Sequence, residues 1–233
     1  MNIYFRQLLA GKDLAMIDGV AAQMANFIYL IGDPESRECV VVDPAWDIPG
    51  ILAAVQADGM NLTGALVTHY HPDHIGGNIF GYSIAGLAEL VANCPIKVHV
   101  NEKEAEGVKQ VTGLSNSDLD IHRGGDVIHA GSTAIQLIHT PGHTPGSQCF
   151  LVGSTLVSGD TLFIGGCGRV DLPGGDSEQM YHSLTQVLAK LPDEVALFPG
   201  HNYGSRMQST MGDEKRLNRY LRIGSLADWL SLM

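Results

Sequence analysis

The apolar positions of this chain change period several times, and each change marks an element. Residues 26–31 and 38–42 are short runs rich in apolar and β-branched side chains. Gly32-Asp33-Pro34-Glu35-Ser36 between them supplies turn residues at hairpin length, so the two runs are predicted to pair antiparallel. After Asp43 and Pro44, the positions Ile48, Ile51, Leu52 and Val55 follow helical spacing, and Asp58-Gly59 closes that helix. Residues 62–68 then read as a buried strand. Further on, residues 84–91 are predicted helical, 96–100 a strand, and Asn101 the cap of a short helix through Val111. Strands at 133–138, 148–152 and 155–157 are separated by Gly and Pro clusters. Ser177 is predicted to cap an amphipathic helix to Leu191, with Met180, Leu184, Val187 and Leu188 on one side. Residues 194–198 make a last strand, and helical segments at 214–222 and 226–230 close the chain. This order predicts sheets with helices packed outside them, a layered α/β architecture. Nothing reads as a linker, so residues 1–233 are expected to form a single domain.

Composition narrows the function classes. The 25 acidic residues outnumber the 14 Lys and Arg, giving a formal charge of −11 with no basic cluster, which repels polyanions and argues against nucleic acid as a partner. The first twenty residues carry Lys12, Asp13 and Asp18 and lack the apolar core of a secretory signal. No stretch approaches the roughly 20 apolar residues needed to cross a bilayer. Cys39, Cys94, Cys149 and Cys167 are scattered without a C-x-x-C pair, as suits reduced thiols. A cytoplasmic protein without membrane contact is expected.

The chemistry is concentrated in T-H-Y-H-P-D-H, Thr68 to His74, just past a predicted strand end. In an extended segment alternate side chains share a face, which predicts that His69, His71 and Asp73 converge on one point while His74 turns to a second. Pro72 supplies the bend. Imidazole and carboxylate donors of this kind suit Zn, Fe or Mn. His143 in T-P-G-H-T-P-G, Asp160 in S-G-D-T-L-F and His201 in F-P-G-H-N-Y stand at strand-to-loop junctions and extend the donor set. Asp43, in V-V-D-P, is a candidate either to orient a metal-binding side chain or to brace its loop.

The ordered set His69, His71, Asp73, His74, His143, Asp160 and His201 resembles the metallo-β-lactamase fold superfamily over nearly the whole chain. The resemblance implies an αββα sandwich with metals at one edge of two mixed sheets. It implies that His69, His71 and His143 hold a first metal, that Asp73, His74 and His201 hold a second, and that Asp160 bridges them. The cofactors implied are two divalent ions, Zn foremost with Fe or Mn also compatible. Such a pair lowers the pKa of a shared water and presents hydroxide to an acyl carbon, with Asp73 as the catalytic group that orients it.

Within the superfamily, G-G-C-G-R at 165–169 and G-H-N-Y at 200–203 resemble the substrate loops of glyoxalase II, a thioester hydrolase. That implies Arg169 and Tyr203 as residues gripping the carboxylate of a thiol carrier such as glutathione. Asp171 stands where that enzyme carries an aromatic, and its basic C-terminal helical domain has no counterpart here. The alternative is a persulfide dioxygenase using one Fe(II) on His69, His143 and Asp160, which F-R-Q-L at 5–8, G-C-G-R-V-D at 166–171 and S-T-M-G-D-E-K-R-L-N at 209–218 resemble. The hydrolase is favoured. Either way the expected partner is a small-molecule thioester or thiol-derived substrate, with homo-oligomer formation left open. His99, His122, His129, His139 and His182 lie outside the motif and read as ordinary surface or core histidines, His139 being the one placed to approach the metals. Cys167 in G-C-G reads as a tight backbone path rather than a reactive thiol. Tyr70, Phe163 and Tyr203 are candidates to line a substrate mouth.

Overall fold

The computed structural model describes residues 2–232. The first half of the chain supplies β1 (Tyr4–Leu9), β2 (Phe27–Asp33), β3 (Glu38–Val42), β4 (Asn61–Leu66), a small hairpin of β5 (Gly77–Ile79) and β6 (Tyr82–Ile84), then β7 (Lys97–Asn101) and β8 (Leu119–His122). The second half supplies β9 (Val127–Ala130), β10 (Thr133–His139), β11 (Gln148–Val152), β12 (Thr155–Gly159), the hairpin β13 (Leu162–Phe163) and β14 (Gly166–Cys167), β15 (Ala196–Pro199) and β16 (Ser209–Thr210). Two six-stranded sheets result, ordered β1-β2-β3-β4-β7-β8 and β16-β15-β12-β11-β10-β9. Both are mixed: β3, β4, β7 and β8 run parallel, as do β12 and β15, while the other sheet neighbours pair antiparallel.

Burial on both faces explains why the strands read as continuous apolar runs. Every residue of β2 is buried. Ile28 and Leu30 face helices α2 (Ile48–Ala57), α4 (Leu87–Asn93) and α5 (Ala105–Thr112), whose Ile48, Ile51, Leu87, Leu90 and Val108 complete that layer. Phe27, Tyr29 and Ile31 face the other sheet through Ile135, Leu137, Phe150, Val152 and Val157. On the far side of the second sheet, Leu156 and Leu197 pack under α6 (Ser177–His182) and α8 (Leu226–Leu232). Trp229 is pinned there, its Nε1 donating to Ser177 O at 2.7 Å. Two mixed sheets face to face with helices outside are the αββα arrangement expected.

The elements differ from expectation in several places. The helix predicted at 84–91 starts only at Leu87, because Ile84 belongs to β6 and Gly86 lies against Gly76 so closely that a Cβ on Gly86 would sit 2.4 Å from the Gly76 Cα. Asn101 ends β7 instead of capping a helix. Its Oδ1 accepts from Lys103 N, and α5 begins at Ala105. The cap of α6 is Asp176, whose carboxylate accepts from Gln179 N, and the helix runs on through a π-turn and a 3-10 turn to Lys190. The helix at 214–222 is instead α7 (Met211–Leu217), stopped by Asn218. β1, pairing antiparallel with β2, was not legible in the alternating N-terminal segment. No helix among the described residues is long and apolar enough to cross a membrane.

Candidate metal centre

Strand ends deliver the donors. β3 ends at Val42, and the next residue, Asp43, takes a left-handed φ of 52°. That conformation costs an L-residue about 1 kcal/mol or more and is tolerated best by Asn and Asp. It turns the carboxylate onto the neighbouring strand end. Asp43 Oδ1 accepts from Thr68 N at 2.8 Å, and Oδ2 accepts from Thr68 Oγ1 at 2.6 Å and His74 Nδ1 at 2.9 Å. Asp43 therefore both braces the loop and orients a donor imidazole. With its proton given to Asp43, Thr68 Oγ1 is left to accept from His69 Nδ1 at 3.0 Å.

The same device recurs round the centre. His143 Nδ1 donates to Arg169 O at 2.7 Å, and His201 Nδ1 donates to Met24 O at 2.7 Å. Each outward N–H orients its ring with Nε2 facing inward, the usual support for a metal-binding histidine. His69 Nε2 and Asp160 Oδ1 are buried with no hydrogen-bond partner. Buried polar atoms left bare cost about 1–3 kcal/mol each, and a divalent ion bound between them would satisfy both. The donor set therefore fits divalent metal ions.

The donors fall into two tripods. His69, His71 and His143 converge, with His71 Nδ1 and His143 Nε2 3.0 Å apart. Asp73, His74 and His201 converge in the second, with His74 Nε2 and His201 Nε2 3.1 Å apart and Asp73 Oδ2 3.3–3.4 Å from both. Asp160 lies between, its carboxylate 3.7 Å from His143 Nε2, 3.4 Å from His74 Nε2 and 3.3 Å from His201 Nε2. The extended backbone ends before Asp73. Pro72 begins the helical turn α3 (Pro72–Ile75), so Asp73 leaves the face shared by His69 and His71 and joins His74 instead.

Charge differs between the tripods. Burial and the neighbouring imidazoles hold His69 well below its ordinary pKa, and His71 down to about 4. Burial opposes protonation of His74 and His201 as well, but the Asp160 and Asp73 carboxylates overcome it, raising His74 well above its usual value and His201 to about 9. Burial would raise the Asp73 and Asp160 carboxyls, yet His74 and His201 outweigh it and hold both below the ordinary range.

Other groups were invisible in the sequence. Glu104 is fully buried, accepting from Tyr70 N at 2.8 Å, Thr144 Oγ1 at 2.8 Å and Gly146 N at 2.6 Å, so one carboxylate ties the His69–His71 loop to the His143 loop. Asn26 Nδ2 donates to Asp73 Oδ2 at 3.0 Å, while Trp46 Nε1 donates to Asn26 Oδ1 and to Asp73 O, both at 3.0 Å. Glu104 is one of three Glu residues in five positions, and only the fold distinguishes it from Glu102 and Glu106. His139 stands outside both tripods, its Nε2 donating to Pro145 O at 3.0 Å. Burial pushes the Cys167 thiol up to about 12, so it stays protonated and unreactive. Its neighbour Gly168 passes so close to Asp160 that a Cβ there would meet Asp160 O.

Over the metal donors opens a cavity of about 490 Å³, lined by Phe163, Cys167, Arg169, Leu172 and Tyr203. Tyr203 stacks on His201, centroids 4.5 Å apart, and Phe163 packs edge-on against Tyr203. Arg169 is exposed and turned onto Asp171, with Nε and Nη2 donating at 2.8 and 2.7 Å. An adjoining apolar groove is lined by Met24, Tyr70, Ile79, Phe80, Leu172 and Pro173.

The chain is similar to known proteins over most of its length. Human mitochondrial persulfide dioxygenase ETHE1 is 33% identical over 212 residues, covering 89% of this chain and 76% of that protein. A hydroxyacylglutathione hydrolase from Aliivibrio salmonicida is 35% identical over 190 residues, covering 82% of this chain and 67% of that protein. The crystal structure of ETHE1 from Myxococcus xanthus superposes with a TM-score of 0.78 at 31% identity, covering 98% of this chain and 89% of that one. The sequence profile of the metallo-beta-lactamase superfamily matches residues 23–201, and the chain belongs to that superfamily.

Proposed function

We propose that the chain is a metal-dependent hydrolase of small-molecule thioesters, working through a two-metal centre. The donor identities alone do not arbitrate, since dioxygenases of this type keep all seven residues while using three, and the observation that carries this reading is how well the second tripod is held in place. Asp73, His74 and His201 converge as closely as the first three donors, and both imidazoles have outward hydrogen bonds to hold them. A divalent pair bound there supplies Lewis acidity and lowers the pKa of a water toward neutrality. The chain's own groups do the positioning. Asp160 faces both tripods, and Asp73, anionic at neutral pH and held by Asn26, orients the attacking water. Tyr203 and Phe163 wall the cavity from the side of His201.

The mouth bears on the substrate. Among the described residues Arg169 is the sole Lys or Arg lining the two cavities, and Asp171 already neutralises it. A carrier with several carboxylates finds little to bind there, whereas the groove round Phe80 and Leu172 suits an apolar portion of the substrate. The second reading, a persulfide dioxygenase with one Fe(II) on His69, His143 and Asp160, draws support from the likeness to the two ETHE1 proteins. Metal content per chain, measured on protein purified without chelator or added metal, separates them. About two equivalents of Zn, Fe or Mn and thioester cleavage under anaerobic conditions support the hydrolase. About one Fe, with O₂ consumed alongside a persulfide, replaces it with the dioxygenase.

A further inference from the structure

A second group of metal-type donors lies apart from the centre described above, at the outer edge of the first sheet. β8 is the edge strand and pairs parallel with β7, with His99 opposite Asp120 and Asn101 opposite His122. Asp120 and His122 are two residues apart on one strand and so share a face. On β7, Val98 and Val100 turn toward the helices and into the core, which sends His99 to the opposite face, where it meets Asp120 and His122. The side chains of His99 and His122 are only 18% and 14% exposed, while Asp120 opens to solvent at 53%.

Three atoms converge: His99 Nδ1 and His122 Nε2 are 2.9 Å apart, and Asp120 Oδ2 lies 3.5 Å from the first and 3.6 Å from the second. Ligands about 2.0–2.1 Å from a tetrahedral zinc are separated by about 3.3–3.4 Å, so the trio needs to shift by only a few tenths of an ångström. Ordinary hydrogen bonding accounts for the arrangement less well. One proton shared between the rings satisfies both facing nitrogens, and the carboxylate then sits almost equidistant from them, too far to accept from either. Behind His122, Asp126 Oδ2 stands 3.7 Å from the other ring nitrogen, where a carboxylate commonly supports a metal-binding imidazole.

We infer that His99, Asp120 and His122 form a separate binding site for a borderline divalent transition metal, Zn(II) foremost, which fastens edge strand β8 to β7. Two imidazoles and one carboxylate favour Zn(II), Ni(II) or Cu(II) over Mg(II) or Ca(II), and the exposed side of Asp120 leaves room for water as a further ligand. The site is independent of the catalytic reading, since it shares no residue with either tripod.

The test is calorimetric titration of the holoprotein, its principal centre already filled, with zinc chloride. Wild type is expected to take up one more equivalent of Zn(II) than a double variant Asp120→Asn, His122→Gln. Its melting temperature should rise with added zinc, while the variant's stays level. Asp120→Asn alone, a change on an exposed carboxylate, should weaken the extra equivalent about tenfold or more with turnover unchanged, so the result stands even if the double variant folds poorly. Asp160→Ala, which damages the principal centre, should retain the extra equivalent. Identical affinity for the extra equivalent in wild type and Asp120→Asn, or no uptake by wild type beyond the principal centre, overturns the proposal.

Discussion

The two halves of the principal centre use similar ligands but differ in what they hold before metal arrives. His69, His71 and His143 form an all-imidazole tripod, and burial with mutual repulsion keeps His69 and His71 unprotonated at neutral pH. Asp73, His74 and His201 sit among carboxylates, which raise His74 and His201 so that both carry protons at neutral pH. An ion entering the first half meets bare lone pairs. An ion entering the second must displace protons, and its binding free energy is reduced accordingly. Charge placement, more than ligand identity, distinguishes the two sites.

The largest test of that division removes what the halves share. Asp160→Ala should abolish turnover while leaving a folded protein, because the change also removes the cost of burying the unpartnered Asp160 Oδ1; circular dichroism and activity check both parts. Breaking the halves separately comes next. His143→Ala should abolish turnover on either reading, but His201→Ala does so only if the second metal takes part, and activity retained within about tenfold of wild type would mean that the first half works alone.

A smaller effect lies in pH. Because His201 titrates near 9 in the metal-free chain, the affinity of the second equivalent should rise with pH up to that value, by about tenfold per unit for each proton displaced. The first equivalent, on imidazoles already neutral, should change little above about pH 7, and chelator competition at several pH values compares the two. Smallest is Asp43→Asn, which keeps a residue tolerant of the left-handed backbone but removes the charge facing His74. It should weaken the second equivalent about tenfold and the first by less.

Much of this centre was legible in sequence because its donors cluster, four of them within the six residues from His69 to His74. Extended geometry alone misplaces Asp73, which the resemblance groups with His74 and His201 as the structure does. The extended pattern was carried one residue too far, past the point where Pro72 had begun a helical turn. Of the histidines outside the motif, His99 and His122 looked ordinary, since 23 positions separate them in sequence and only the β7–β8 register brings them together. Glu104 was equally hidden, because its burial depends on the closing of two loops upon it.

Most of the layered order of strands and helices is legible in continuous apolar runs and the 3.6 period, and the candidate metal donors are legible in their chemistry and local spacing. The grouping of the donors into two sets follows the resemblance, but their distances, the carboxylates that hold the imidazoles and the meeting of a second group of histidines come only from the folded chain. Those outcomes depend on contacts between residues far apart in the chain, such as Asp43 with His74 and Met24 with His201, and such contacts exist only once strand register and sheet packing bring the segments together.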